Sequence, residues 1–395
     1  MSKKLVVVCL FNFLIAALMG LALRYSFLNS ININYRFLMH AHSHVAMLGW
    51  VYLMLYVCIV HYFVPEKKPI FNRLFWLTQF AVVGMMISFP LQGYAAISIS
   101  FSTLHIFCSY YFVYLIWKYH KAESIITSYL LKASLIFMLL STLGVWCLGP
   151  AVSMLGQASA FYQIAIQFFL HFQFNGWFIL AVIALFFHVL NVEDSIQFRL
   201  FFKLLILSII LTLALPVYWF APHIALLWIN GLGVLIQLVT LLLFLNLIKP
   251  NQVLLLNHHS KLTIYMYSFA VFCFVLKIGL QLLSLIPDVS EVAYQHRNFI
   301  IGFIHLTMLG VISGFLFGFL LQSKIVTINR WMYLGVFLFF LGFLLTELLI
   351  IIQGSMFYFG KGIITNYYLF LFLSSIFLPL GIILIIINIL KTKKA

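Results

Sequence analysis

A chain of 395 residues that is 65% hydrophobic, 18% aromatic and only 7% charged cannot cover itself with a water-compatible surface, which excludes an ordinary soluble globule. Its net charge of +15 would suggest a nucleic-acid partner in a soluble protein; here the basic residues sort by topology, and no nucleic acid is read as a partner.

Apolar runs of about twenty residues recur along the whole length, each able to cross a hydrocarbon core of roughly 30 Å as a helix. They predict twelve spans, at 5–23, 39–62, 73–91, 98–118, 125–147, 160–190, 200–220, 224–247, 262–286, 296–322, 331–352 and 367–390. Helix is the expected conformation because it satisfies its own backbone without water, and no alternating barrel pattern is present. The first span follows Ser2-Lys3-Lys4 with no small-residue cleavage site after it, so it reads as a retained helix. Connections are short, the longest outer one around Asn29 to Phe37 and the longest inner one around Pro250 to Ser260. The expected fold is an all-α polytopic bundle forming a single transmembrane domain over 1–395, with any chemistry inside the bundle. Cys9, Cys58, Cys108, Cys147 and Cys273 lie far apart in apolar spans without C-x-x-C or C-x-x-C-H, which argues against disulfides, a zinc ribbon or covalently attached haem.

Of the 22 Lys and Arg, Arg24, Arg36, Arg297 and Lys361 fall in connections on one side, Lys132 and Lys277 fall within spans, and the other sixteen lie on the opposite side. The positive-inside rule then puts both termini in the cytoplasm and the chain in the inner membrane as a multi-pass protein, with the lipid bilayer as its first partner.

Orientation sorts the thirteen histidines by depth. Span 2 opens with Met39-His40-Ala41-His42-Ser43-His44, span 4 has His105, span 6 has His171, span 8 opens near His223, and span 10 has His296 and His305. All lie in the outer halves of spans entering from outside. His61, His120, His188, His258 and His259 lie at or beyond the inner ends. Ionisable groups within a span are costly enough to mark sites or pairs, and several at one level suggest a shared ligand. The plainer alternative is that each is a neutral imidazole satisfied by hydrogen bonds between helices.

A repeat accompanies them. His44-Val45-Ala46-Met47-Leu48-Gly49 and His305-Leu306-Thr307-Met308-Leu309-Gly310 share H-x-x-M-L-G, and His171-Phe172-Gln173-Phe174-Asn175-Gly176 is a looser copy on span 6. The missing side chain at Gly49 or Gly310 lets a flat ring or another helix approach the backbone. Neutral imidazole suits iron, copper and zinc, and two imidazoles on facing helices can hold haem iron from both sides. Only Glu347 among the seven acids lies within a span, which argues against a carboxylate-bridged di-iron site. Arg36 and Arg297, near the outer ends of spans 2 and 10, stand at the level where haem propionates would emerge.

These residues resemble catalytic subunit I of the haem-copper oxidase superfamily, which includes nitric oxide reductases. The likeness lies in twelve spans with both ends inside, and in the string His42-Ser43-His44-Val45-Ala46-Met47-Leu48-Gly49-Trp50, similar to the family's H-x-H-x-x-x-L-G-W wording, which in the family belongs to helix 10. The resemblance implies a non-covalent b-type haem held by His44 and His305, and a second metal, copper, near His171, His42 and His40. It also implies partner subunits or an electron donor of the respiratory chain. The chain departs from the family at span 7, which ends Leu215-Pro216-Val217-Tyr218-Trp219-Phe220 without the adjacent histidine pair, and at span 10, where Phe303 stands beside a single His305. The binuclear ligand set is therefore incomplete. The NnrS family of haem- and copper-containing membrane proteins is similar too, and it implies a non-catalytic sensor or assembly role. A third reading, a proton-coupled transporter, lacks Gly/Pro-interrupted helix pairs.

Lys132, Lys277 and Glu347 suggest a proton path or a buried Lys277–Glu347 pair; the alternative is that the lysines snorkel and the glutamate accepts a local hydrogen bond.

Overall fold

The computed structural model describes residues 1–66, 68–121, 124–251, 256, 259–323 and 325–392. Among them are twelve helices long and apolar enough to cross a membrane: α1 (Lys3–Tyr25), α2 (Tyr35–Phe63), α3 (Pro69–Gln92), α4 (Ala96–Tyr119), α5 (Ile125–Leu155), α6 (Ala160–Val189), α7 (Ile196–Tyr218), α8 (Ile224–Asn251), α9 (Lys261–Leu283), α10 (Arg297–Leu321), α11 (Arg330–Tyr358) and α12 (Tyr367–Lys391). The protein is an all-α, multi-pass membrane bundle. A short helix at Pro287–Gln295, which the hydropathy pattern does not announce, precedes α10.

Polar residues at the entrances set several of these starts. Asn34 accepts hydrogen bonds from Arg36 N and Phe37 N, Ser159 from Tyr162 N, Ser195 from Phe198 N, and Asn329 from Trp331 N and Met332 N. Each supplies acceptors to amides that have no partner within the first helical turn. α7 is interrupted between Leu211 and Ala214. Pro216 explains the break, since its ring clashes with the carbonyl four residues earlier, that of Thr212.

The three histidine-bearing repeats share a backbone feature. α2, α6 and α10 each change from α to π geometry one residue after the histidine, at Val45–Tyr52, Phe172–Phe178 and Leu306–Ile312, and then return to α. A π turn accommodates an extra residue, so the helix beyond it is rotated by roughly 100° relative to an unbroken α-helix. These same three helices are the most enclosed, with 78%, 78% and 61% of their apolar windows buried, against 33–56% for the others.

By internal contacts the described chain divides into two compact units, where the sequence without linkers reads as one domain. The first comprises residues 1–121, 261–267 and 296–395. In it α12 packs on α11 and α1, α3 packs on α4 and α2, and α10 packs on α11. Its centre is Trp50, 1% exposed, which stacks on Phe13 at 4.5 Å and donates from Nε1 to Ser313 Oγ at 2.9 Å. Ser313 in turn donates to Met308 O at 2.8 Å, and Asn12 donates to Gly49 O at 2.9 Å. Carbonyls in both π segments are thus met by side chains, as a buried backbone in lipid requires.

The second unit comprises 122–260 and 268–295, with α5 packed on α6, α7 on α8, and a cluster of Phe187, Phe201 and Phe244 inside. Lys277 lies in this unit, fully buried, and donates to Gln281 Oε1 at 2.8 Å, so it does not snorkel.

Candidate functional site

The histidines opening α2 divide between two faces because residues two apart point away from one another on a helix, whereas residues four apart share a side. His42 turns toward α1. Its Nδ1 donates to Ala16 O at 2.8 Å, and a Cβ on Gly20 would meet its ring at 2.9 Å. His40 and His44 turn toward the end of α3, where His40 meets the Tyr94 ring at 4.7 Å and His44 meets Phe89 at 4.3 Å. Nδ1 of His44 lies 2.8 Å from His40 O. A carbonyl can only accept, so Nδ1 carries the proton and Nε2 presents a lone pair. Nε2 faces the Tyr94 hydroxyl at 3.4 Å, a long contact.

His305 is held by a different acceptor. Its Nδ1 lies 3.0 Å from Glu347 Oε1 on α11, and its Nε2 has no hydrogen-bond partner among the described residues. Glu347 fits there because Gly302, one turn before His305, leaves its side open: a Cβ at Gly302 would lie 3.4 Å from Glu347 Oε2. The carboxylate is in electrostatic reach of Arg24, whose guanidinium donates to Ser375 Oγ and to Leu371 O on α12. His42 is within electrostatic reach of His305 and Arg24. α1, α2, α10, α11 and α12 of the first unit thus converge on one polar network in an otherwise apolar interior.

Of the two readings of these residues, the Lys277–Glu347 pair is not formed: Gln281 partners the lysine and His305 the glutamate, which takes part in a hydrogen bond as the other reading had it.

His105 was absent from the expected site, yet it belongs near His44. It is 3% exposed, within electrostatic reach of His44, and its ring meets Tyr52 at 4.6 Å. Its Nε2 is buried without a partner among the described residues.

His171 lies in the second unit with both nitrogens engaged: Nε2 donates to Ile209 O at 2.7 Å, and Asn175 Nδ2 stands 3.5 Å from Nδ1. Gly49 and Gly176 serve helix approach. Side chains there would meet Val82 and Asn12, or Phe137 at 2.6 Å. Gly310 is buried in the π segment of α10. Arg36 and Arg297 are exposed in the first turns of α2 and α10, with no side-chain hydrogen bond or ion pair among the described residues. His258, one of the inner-loop pair, lies outside the described residues.

Among the described residues no group of three or more His, Cys, Asp or Glu is placed to hold a metal ion by itself. Two imidazoles suffice for haem iron, because the porphyrin fills the remaining positions. In His42 and His44 Nδ1 is held by a backbone carbonyl and in His305 by Glu347, so Nε2 is in each the ring nitrogen that a metal could take. Neither a protein-family model nor a curated protein matches this chain.

Proposed function

We propose that this is a haem-binding, respiratory-type protein of the cytoplasmic membrane, in which His305 on α10 and one of the pair His42 and His44 on α2 are the axial ligands of one b-type haem. The observation that carries the reading is the shared state of these rings. Metal-ligating histidines as a rule donate their second ring nitrogen to a carbonyl or carboxylate, which fixes the tautomer and raises ligand basicity. His42 does so to Ala16 O at 2.8 Å, His44 to His40 O at 2.8 Å and His305 to Glu347 at 3.0 Å, and of the two on α2 His42 is the one within electrostatic reach of His305. Arg36 and Arg297 supply unpaired cations for the propionates. Haem when bound supplies reversible one-electron chemistry; the chain's own residues orient the two imidazoles and keep water from them.

His171 favours electron transfer or sensing over oxygen or nitric oxide reduction. Its ring is satisfied by Ile209 O and Asn175, as a packing histidine is, so it does not add a copper ligand to the reading. The electron donor is a partner subunit or a soluble carrier of the respiratory chain.

The test is a reduced-minus-oxidised spectrum of purified protein together with metal analysis. A bis-imidazole haem signal, lost in His305→Ala and in one of His42→Ala and His44→Ala, is expected. Full haem retention in His305→Ala, or in both His42→Ala and His44→Ala, overturns the ligand assignment, and colourless, metal-free protein overturns the cofactor. Absence of oxygen and nitric oxide consumption is expected of the wild type.

A further inference from the structure

Between the first turn of α11 and the last turns of α12 lies a cavity of about 400 Å³. Leu384 and Ile387 form an apolar wall, Asn388 and Lys391 a polar one, and Trp331, half exposed, stands at the rim. The Arg330 guanidinium lies over the Trp331 ring at 5.4 Å.

Two observations ask for a ligand. Asn388 is only 4% exposed, and its Nδ2 donates to Asn329 Oδ1 at 2.8 Å. Asn329 Oδ1 also accepts from Trp331 N and Met332 N, at 3.0 and 3.1 Å, so the orientation of both amides is fixed. This leaves Asn388 Oδ1 buried without a donor among the described residues, on a side chain that helps line the cavity, a costly state for an amide oxygen unless something else donates to it. The second observation is charge. After Glu291 the sequence contains a single acid, Glu347, and that carboxylate is engaged with His305. Among the described residues neither Arg330 nor Lys391 is in an ion pair, and both stand next to a helix N-terminus that itself favours an anion.

We infer that this cavity binds the headgroup of an anionic glycerophospholipid. The phosphate meets Lys391 and Arg330, a headgroup hydroxyl donates to Asn388 Oδ1, and an acyl chain follows Leu384 and Ile387. A tryptophan beside two cations at the basic end of a membrane bundle is the setting in which anionic lipid is attracted. The site is independent of the haem reading, since it shares no residue with it.

Native mass spectrometry of the full-length protein in detergent, titrated with dihexanoyl lipids, tests this. One phosphatidylglycerol is expected to be retained in clear preference to phosphatidylcholine. Lys391→Gln and Arg330→Gln should each weaken retention about fivefold. Asn388→Leu should remove the preference for phosphatidylglycerol over phosphatidic acid, which has no headgroup hydroxyl. Equal retention of phosphatidylglycerol and phosphatidylcholine overturns the proposal, as does unchanged retention in both Gln variants. Glycerol 3-phosphate competing as strongly as the lipid would show a soluble-phosphate site instead.

Discussion

Glu347 and His305 meet at 3.0 Å between α11 and α10, with the carboxylate 9% and the imidazole 22% exposed. A carboxylate in this position makes the imidazole a stronger donor through its other nitrogen. On the proposed haem reading, Glu347→Gln, which keeps an acceptor but removes the charge, should retain haem and raise its midpoint potential. Glu347→Leu, which removes the acceptor, lowers haem affinity about 10–100-fold. Potentiometric titration and the haem-to-protein ratio read these outcomes, and an unchanged potential in both variants would separate Glu347 from the cofactor.

Trp50 and Ser313 tie the π segment of α2 to the end of that of α10. Ser313→Ala leaves the buried indole N–H without its acceptor, at a cost of roughly 1–3 kcal/mol. Thermal unfolding followed by a thiol-reactive dye is suited to this, because Cys9 and Cys58 are buried in the same unit and become reactive only when it opens. The variant should label at a lower temperature than wild type.

Glycines in the second unit predict opposite signs for the same substitution. A Cβ at Gly144 would sit 2.4 Å from Ala165 O, a backbone atom of α6 that cannot swing aside, so Gly144→Ala should destabilise the α5–α6 contact. At Gly279 in α9 a Cβ meets nothing within 4 Å, so Gly279→Ala should be neutral or stabilising by up to about 1 kcal/mol from helix propensity. Melting temperatures that move in the same direction for both variants would contradict this packing.

Acid should loosen the connection before α7. Arg199, which donates to Asp194 through Nη2 at 2.6 Å, holds the Asp194 carboxyl below its ordinary value. A depressed folded-state value means that the contribution to stability is present above the ordinary aspartate range and is lost as pH falls through the depressed value. Protection of the amides around 192–198, taken relative to their intrinsic exchange at each pH, should therefore fall at low pH in the wild type. In Asp194→Asn it should be low at every pH, and wild-type protection flat with pH would refute the pairing.

How much of the site was legible can be seen at single residues. That His44, His171 and His305 lie in long apolar helices followed from hydropathy, and the repeat that joins them proved to mark three π segments. Their surroundings did not follow. His42 and His44 sit in one short string, yet one reaches Ala16 on α1 and the other Phe89 on α3. His171, a copy by spelling, has its ring satisfied within its own unit. Gly49, expected to admit a ring, admits Asn12 and Val82.

From its sequence alone this protein was bound to cross a membrane twelve times as helices, because a chain so poor in charge must satisfy its backbone internally wherever lipid surrounds it. Hydropathy is a property of each segment and can be read one segment at a time. Which imidazole meets which oxygen depends on helix rotation, on the extra residue each π turn admits, and on neighbours 4 to 42 positions away in the chain. Those were decided only when the helices packed, and with them the pairing of Glu347 with His305 in place of Lys277.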